Sequence, residues 1–218
     1  MSPPLIGILL LTPVLDDVEA FLPAFEAALD RAEVGAVLLR LAAADERTLI
    51  KRIKSLAPLA QAQGAALVVS ARDAPDLASV AIRGGADGVH AGPEADLRSL
   101  RDALKGERIL GVGGLRTKHD AMEAGEAGAD YVLFGEPRPD GWIPDAEATI
   151  ERAEWWAEIF ETPCAAFASS LDLVPEMAAT GAEFVAVADA VWMHPDGPRQ
   201  GVRTVGTALR RAGQEALA

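Results

Sequence analysis

One short pattern recurs through the chain and limits what it can fold into: a helix end, a glycine, then a compact apolar run. Its clearest copy is Ala127–Gly135, A-G-A-D-Y-V-L-F-G, where Gly128 suits a left-handed helix cap and Tyr131–Phe134 suits a strand buried on both faces. Related copies are G-A-V-L-L at Gly35–Leu39, G-A-D-G-V at Gly85–Val89 and G-A-E-F-V at Gly181–Val185. The four glycines lie about 40 to 55 residues apart, roughly two βα units, since one unit takes about 30 residues. A helix, a glycine and a buried strand in alternation is the pattern of a (β/α)₈ TIM barrel.

Read in order, the chain supplies eight such units. The expected strands are Leu5–Leu11, Ala36–Leu39, Ala65–Val69, Asp87–His90, Arg108–Val112, Tyr131–Phe134, Cys164–Ala168 and Phe184–Ala188. Helices are expected from Asp16 or Asp17 to about Glu33, Asp45–Gln63, Pro75–Arg83, Glu94–Leu104, Thr117–Ala127, Ala146–Phe160, Asp172–Thr180 and a closing segment. Glu136–Asp145 and Asp189–Pro198 read as loops. A doubly wound open sheet alternates too, but closure at eight units favours the barrel. No linker or composition break interrupts the series, so residues 1–218 read as one domain.

Composition excludes several functions. A formal net charge of −13 repels nucleic acid and anionic membranes, although it leaves room for a local phosphate site. Cys164 is the only cysteine, so no internal disulfide forms and a reducing compartment is expected. No stretch approaches the roughly 20 apolar residues of a membrane span, and Met1–Pro13 lacks a basic start and a small-residue cleavage site. The chain reads as cytoplasmic.

In a TIM barrel the site lies on the loops that follow the strands. That rule selects Arg40, Ser70, Arg72, His90, Glu94, Asp96, Gly113, Gly114, Arg116, Glu136, Arg138, Ser169, Ser170 and Asp189. Cations, hydroxyls and a Gly-Gly turn suit a phosphate, helped by the positive ends of helices. Several alternatives stay open. Gly113-Gly114 is either a phosphate cradle or a tight turn, and His90 either faces the mouth or is a satisfied core histidine. Arg40 ends an apolar strand, so an acid or an anionic ligand must compensate it, with Glu136 and Asp189 as the internal candidates. Trp155-Trp156 reads as packing or an oligomer contact. No zinc spacing, Walker loop or Ser-His-Asp arrangement is present.

Three stretches carry a family resemblance: Gly85–Gly92 (G-A-D-G-V-H-A-G), Leu110–Gly114 (L-G-V-G-G) and His119–Pro137. With T-P-C-A-A-F-A-S-S and G-A-E-F-V-A-V-A-D-A-V near the end, they resemble thiamine phosphate synthase over nearly the whole chain. The resemblance implies a (β/α)₈ barrel that joins a hydroxymethylpyrimidine diphosphate to a thiazole phosphate and releases pyrophosphate, with Mg²⁺ bridging the diphosphate and loop acids. It implies Arg40 and Arg72 as catalytic cations. Ser70, His90, Gly113, Gly114, Arg116, Glu136, Ser169, Ser170 and Asp189 would line the substrate. The partner is then a small phosphorylated heterocycle, and exposed helical faces make a homodimer an expectation.

The departures from the family pattern are equally specific. Leu38 and Ala42 stand where a Gln and a Lys are implied, and Ala71 stands where a metal acid is implied. Asp96 falls one step late for the second acid, Gly113 replaces a Ser, and no loop-six Lys lies near Pro139–Ile143. Arg72, Arg116 and Arg138 are then the charges left to replace metal and Lys. A non-catalytic barrel that binds a phosphorylated thiamine precursor is the alternative. An isomerase or aldolase is a weaker one, because no strand ends in a Schiff-base Lys.

Overall fold

The computed structural model describes residues 6–30, 33–74, 76–138 and 142–215. Eight parallel strands close on themselves in sequence order, β1 pairing with both β2 and β8. They are β1 (Gly7–Leu15), β2 (Val34–Leu41), β3 (Ala66–Ala71), β4 (Gly88–Ala91), β5 (Ile109–Val112), β6 (Tyr131–Phe134), β7 (Cys164–Phe167) and β8 (Phe184–Val187). Between them run α1 (Val18–Leu29), α2 (Glu46–Ala62), α3 (Leu77–Gly84), α4 (Leu97–Leu104), α5 (Lys118–Glu126), α6 (Ala146–Ile159) and α7 (Val174–Ala179). A short α8 (Asp189–Trp192) and the long α9 (Pro198–Glu215) complete the described chain. The architecture is a TIM barrel. No helix among the described residues is long and apolar enough to cross a membrane.

Period-two alternation divides each strand between two apolar layers. Val37, Leu39 and Leu41 of β2 pack outward beneath the helices, whereas Leu38 joins Leu9, Leu11, Val68, Leu133 and Phe167 inside the barrel. The outer layer is the larger. Trp156 of α6 anchors part of it, fully buried, stacked on Phe160 at 4.1 Å, with its indole N–H donated to the Thr162 carbonyl at 2.7 Å. This is the packing role expected of the tryptophan pair, and Trp155 meets Trp156 edge-on at 5.9 Å. Cys164 is buried core at the start of β7, and burial, helped by Glu183, pushes its thiol up to about 12.

The recurring G-A-acid pattern has a second function, and it lies at the foot of the barrel. Asp87 accepts the Leu67 N–H at 2.7 Å, Asp130 the Leu110 N–H at 2.7 Å, and Glu183 the Cys164 N–H at 2.8 Å. Each acid precedes one strand and caps the first turn of the strand before it in sequence. Gly85, Gly128 and Gly181 ahead of them take positive φ of 83°, 87° and 86°. Gly35 differs: it lies within β2 and makes no such turn.

Two differences from expectation bear on the mouth. The first strand does not end at Thr12-Pro13 but continues to Leu15, with a register shift between Leu11 and Val14 that accommodates the proline. Thr12 holds this bulge in place, because its Oγ1 accepts the Arg40 backbone N–H at 3.0 Å. The segment after β8 begins with α8 rather than loop, closed by Met193 N–H donation to the Asp189 carbonyl at 2.8 Å. From α8, Trp192 donates to the Leu11 carbonyl at 2.6 Å and meets Phe21 at 4.8 Å, fastening the turn to β1. Expected starts at Leu5 and Pro75, Arg31 and Ala32 of the first helix, and Pro139–Gly141 of the long loop lie outside the described residues.

Replacing Asp130 with Ala removes the acceptor of a buried strand N–H and the partner of Arg101, which it meets at 2.8 Å. Urea unfolding of Asp130→Ala is expected to show a loss of about 1–3 kcal/mol with an unchanged m-value. A variant within about 0.5 kcal/mol of the parent would deny the acid repeat its structural role.

Candidate active site

Strand parity decides which side chains enter the mouth. On β2, Leu38 faces the interior, so Arg40 two residues on does as well; on β3 the same holds for Val68 and Ser70. Arg40 and Ser70 are register partners across β2 and β3. On β4, Val89 packs outward and His90 turns in, 3% exposed. On β5 the inward positions after Ile109 are Gly111 and Gly113, which carry no side chains.

Those two glycines make the room on which the site depends. A Cβ at Gly111 would overlap the Tyr131 ring, and one at Gly113 would fall 2.5 Å from His90 Nε2 and against Glu136 Oε2. Into this space Tyr131 rises from the foot of β6, its hydroxyl 2.8 Å from His90 Nδ1. From the other side Glu136 descends. Gly135, at φ 83°, turns the chain so that Glu136 Oε2 meets His90 Nε2 at 3.2 Å. The three side chains form one file, Tyr131–His90–Glu136.

Arg40 completes the charge balance. Its Nε donates to the Thr12 carbonyl at 2.5 Å, and its terminal amino groups have no hydrogen-bond partner among the described residues. Burial pulls the guanidinium below its ordinary pKa, and Glu136 and Asp189 push back. Burial would raise the Glu136 carboxyl, but His90, through its field and hydrogen bond, and Arg40 behind it hold it below the usual carboxylate value. The Tyr131 phenol is driven well above its usual value by burial and then by Glu136. Glu136 is therefore a carboxylate at neutral pH, and Tyr131 keeps its proton.

The remaining candidates follow strands on the same rim but differ in accessibility. Arg72 is exposed after β3, Ser169 is exposed and Ser170 half-buried after β7, and Asp189 is exposed at the start of α8. Gly114, at φ 68°, gives its carbonyl to Arg138 at 2.6 Å, which ties the loop after β6 to the turn after β5. That turn is structural at least in part. Arg138 also lies over the Trp142 ring, 5.2 Å from its centroid. Arg116 is exposed, and its backbone N–H donates to Asp120 beside the Thr117 capping box of α5.

The two acids of the segment after β4 are engaged elsewhere. Asp96 caps α4, with Oδ1 accepting the Ser99 N–H at 3.1 Å and Oδ2 its hydroxyl at 2.7 Å. Glu94 folds back against Gly92. Among the described residues no group of three His, Cys, Asp or Glu side chains is placed to hold an ion. Among the described residues the Mg²⁺ implied by the resemblance therefore finds no matching donor set. His119 lies exposed on α5 beside Glu123, and His194 accepts the Asp196 N–H.

Two contributors were not singled out in the sequence. Tyr131 reads there only as strand bulk, although it shares inward parity with Leu133 and faces Gly111 across the register. Thr12 reads as a strand terminator, yet it is fully buried and takes two bonds from Arg40.

Fold and mouth together define a TIM barrel with a compensated cation and a buried carboxylate at its mouth. The family model described as thiamine monophosphate synthase matches residues 8–191. The thiamine-phosphate synthase of Rhodospirillum centenum is 39% identical over 204 residues, spanning 92% of this chain and 96% of that protein. That of Hyphomonas neptunium is 34% identical over 203 residues, 89% of each. Among solved structures, the thiamine phosphate pyrophosphorylase of Pyrococcus furiosus has the same fold, with a TM-score of 0.75 and 23% identity over 96% of this chain and 98% of that one. The chain belongs to the thiamine monophosphate synthase family.

Gly113→Ser should destabilise the barrel by about 1–3 kcal/mol, because the new side chain forces Glu136 off His90. Combined with Glu136→Ala, the same substitution should cost less, with a coupling of about 0.5–3 kcal/mol in a double-mutant cycle by urea unfolding. Strict additivity would show that Gly113 does not serve the carboxylate.

Proposed function

We propose that this chain couples a hydroxymethylpyrimidine diphosphate to a thiazole phosphate at the barrel mouth and releases pyrophosphate. Family membership supports the reaction class, and the observation that carries it to this mouth is the inward, partly buried guanidinium of Arg40. The methylene C–O bond breaks and its electron pair leaves with pyrophosphate. The thiazole nitrogen then gives its lone pair to the methylene cation, forming the new C–N bond.

In this reading Arg40 and Arg72 hold the diphosphate, and Arg116 and Arg138 add positive field as its negative charge grows. The buried setting strengthens such fixed charges, and losing one commonly costs about 10²–10³ in rate. Glu136 and Tyr131–His90 lie on the pyrimidine side, where a carboxylate favours the cation formed on ionisation. Ser70, Gly113 and Gly114 complete the wall, while Ser169, Ser170 and Asp189 stand where the thiazole phosphate would enter. A resident Mg²⁺ would add charge to the leaving group; Ala71 and the capped Asp96 supply no evident seat for it.

The lack of such a donor set among the described residues favours a second reading, a barrel that binds a phosphorylated thiamine precursor without turning it over. The assay that separates the two uses purified protein with both substrates, with and without added Mg²⁺. The catalytic reading predicts thiamine phosphate and pyrophosphate in equal amounts, and a loss of about 10²-fold in kcat for Arg40→Ala. Calorimetric binding of either substrate with no product above background would overturn it in favour of the second.

A further inference from the structure

The Glu136 carboxylate is occupied on one side only. Oε2 meets His90, whereas Oε1 has no hydrogen-bond partner among the described residues, and 14% of the side chain stays open. The file beneath it fixes what that open oxygen presents. Tyr131 keeps its proton because burial and Glu136 both oppose its loss. Two arrangements then satisfy all three groups. Either the Tyr131 hydroxyl donates to Nδ1 of a neutral ring, or an imidazolium donates from Nδ1 to the Tyr131 oxygen. In both, the Nε2 proton points at Glu136 Oε2. A bare Nε2 would set a lone pair against a carboxylate in a buried site.

Glu136 Oε1 is therefore an acceptor, charged and open to the mouth. A phosphate oxygen brought there would meet a like charge with little water to screen it. This part of the mouth takes a hydrogen-bond donor instead. Strand two contributes no competing acceptor beside it, since the inward neighbour of Arg40 is Leu38.

We propose that Glu136 is the specificity-determining residue for a heteroaromatic ring bearing an exocyclic amine, whose N–H it accepts at Oε1. The inference deepens the synthase reading by assigning the amine of an aminopyrimidine to this carboxylate, leaving the anionic groups to the arginines of the rim. No proton is transferred in this step; the amine stays neutral and the carboxylate stays ionised. Tyr131 acts through His90 and is a positioning residue.

The test is a pair of ligands without phosphate: the aminopyrimidine alcohol, and its analogue with oxygen in place of the exocyclic amine. Calorimetry on the wild-type protein should show the amine form binding roughly ten- to hundredfold more tightly, the range of one hydrogen bond to a charged group. In Glu136→Gln the amide oxygen takes the His90 proton and the amide N–H₂ faces the mouth, so an acceptor becomes a donor. The preference should reverse to the oxo analogue, with thermal unfolding confirming that the variant is folded. Equal binding of both rings by the wild type, binding of neither, or an unchanged preference in the variant would each overturn the inference. Turnover of the phosphorylated substrates is measured on the same preparation. Turnover without ring discrimination removes this inference alone, and discrimination without turnover removes the synthase reading alone.

Discussion

A carboxylate held inside the mouth of a parallel barrel has to be compensated from below and from the side. Here Glu136 is compensated by His90, whose Nε2 lies 3.2 Å from Oε2, and, at longer range, by Arg40. Removing His90 would leave a buried charge short of a partner, a change that commonly costs about 3–5 kcal/mol. Much else in the upper barrel serves this one contact. Gly113 clears the space, Gly135 turns the chain, Tyr131 backs the imidazole, and Thr12 steers the guanidinium that shares the field.

Gly113, which stands where the family resemblance implies a Ser, serves the same contact. A Ser at position 113 and a carboxylate at position 136 cannot both occupy the space above His90. Gly113 and Glu136 therefore go together: the missing side chain after β5 leaves the space that the carboxylate from the loop after β6 fills. The consequence is chemical. The mouth holds a buried carboxylate beside the Arg40 guanidinium, while Arg72 and Arg116 stay exposed.

Much of the architecture was legible in the sequence because buried parallel strands and their glycine turns are written locally. Tyr131–Phe134 and Gly128 announce themselves within nine residues. The foot of the barrel was only half legible. The acids of the repeat are visible as letters, but their hydrogen bonds run to strands about 20 residues earlier and exist only after closure. At the site, the strand-end rule picked out Arg40, Ser70 and His90, though it left His90 between mouth and core. It could not show that the Tyr131 hydroxyl rises to His90, or that the chain after Gly135 descends to meet it. Asp96, one step late for the acid the resemblance implies, is used by the backbone as a helix cap, as Asp residues at such positions commonly are.

The direction of the hydrogen bonds through His90 carries the account, and the ring nitrogens report it directly. Nitrogen-15 NMR of the imidazoles at neutral pH, with His90 assigned by its absence in a substituted variant, separates it from the other two histidines. His90 is expected to show a protonated, hydrogen-bonded Nε2 that changes in Glu136→Gln and shifts when Tyr131 becomes Phe. A bare Nε2 with the proton resting on Nδ1 would contradict it, because Glu136 would then have no donor beneath it and no reason to sit where it does.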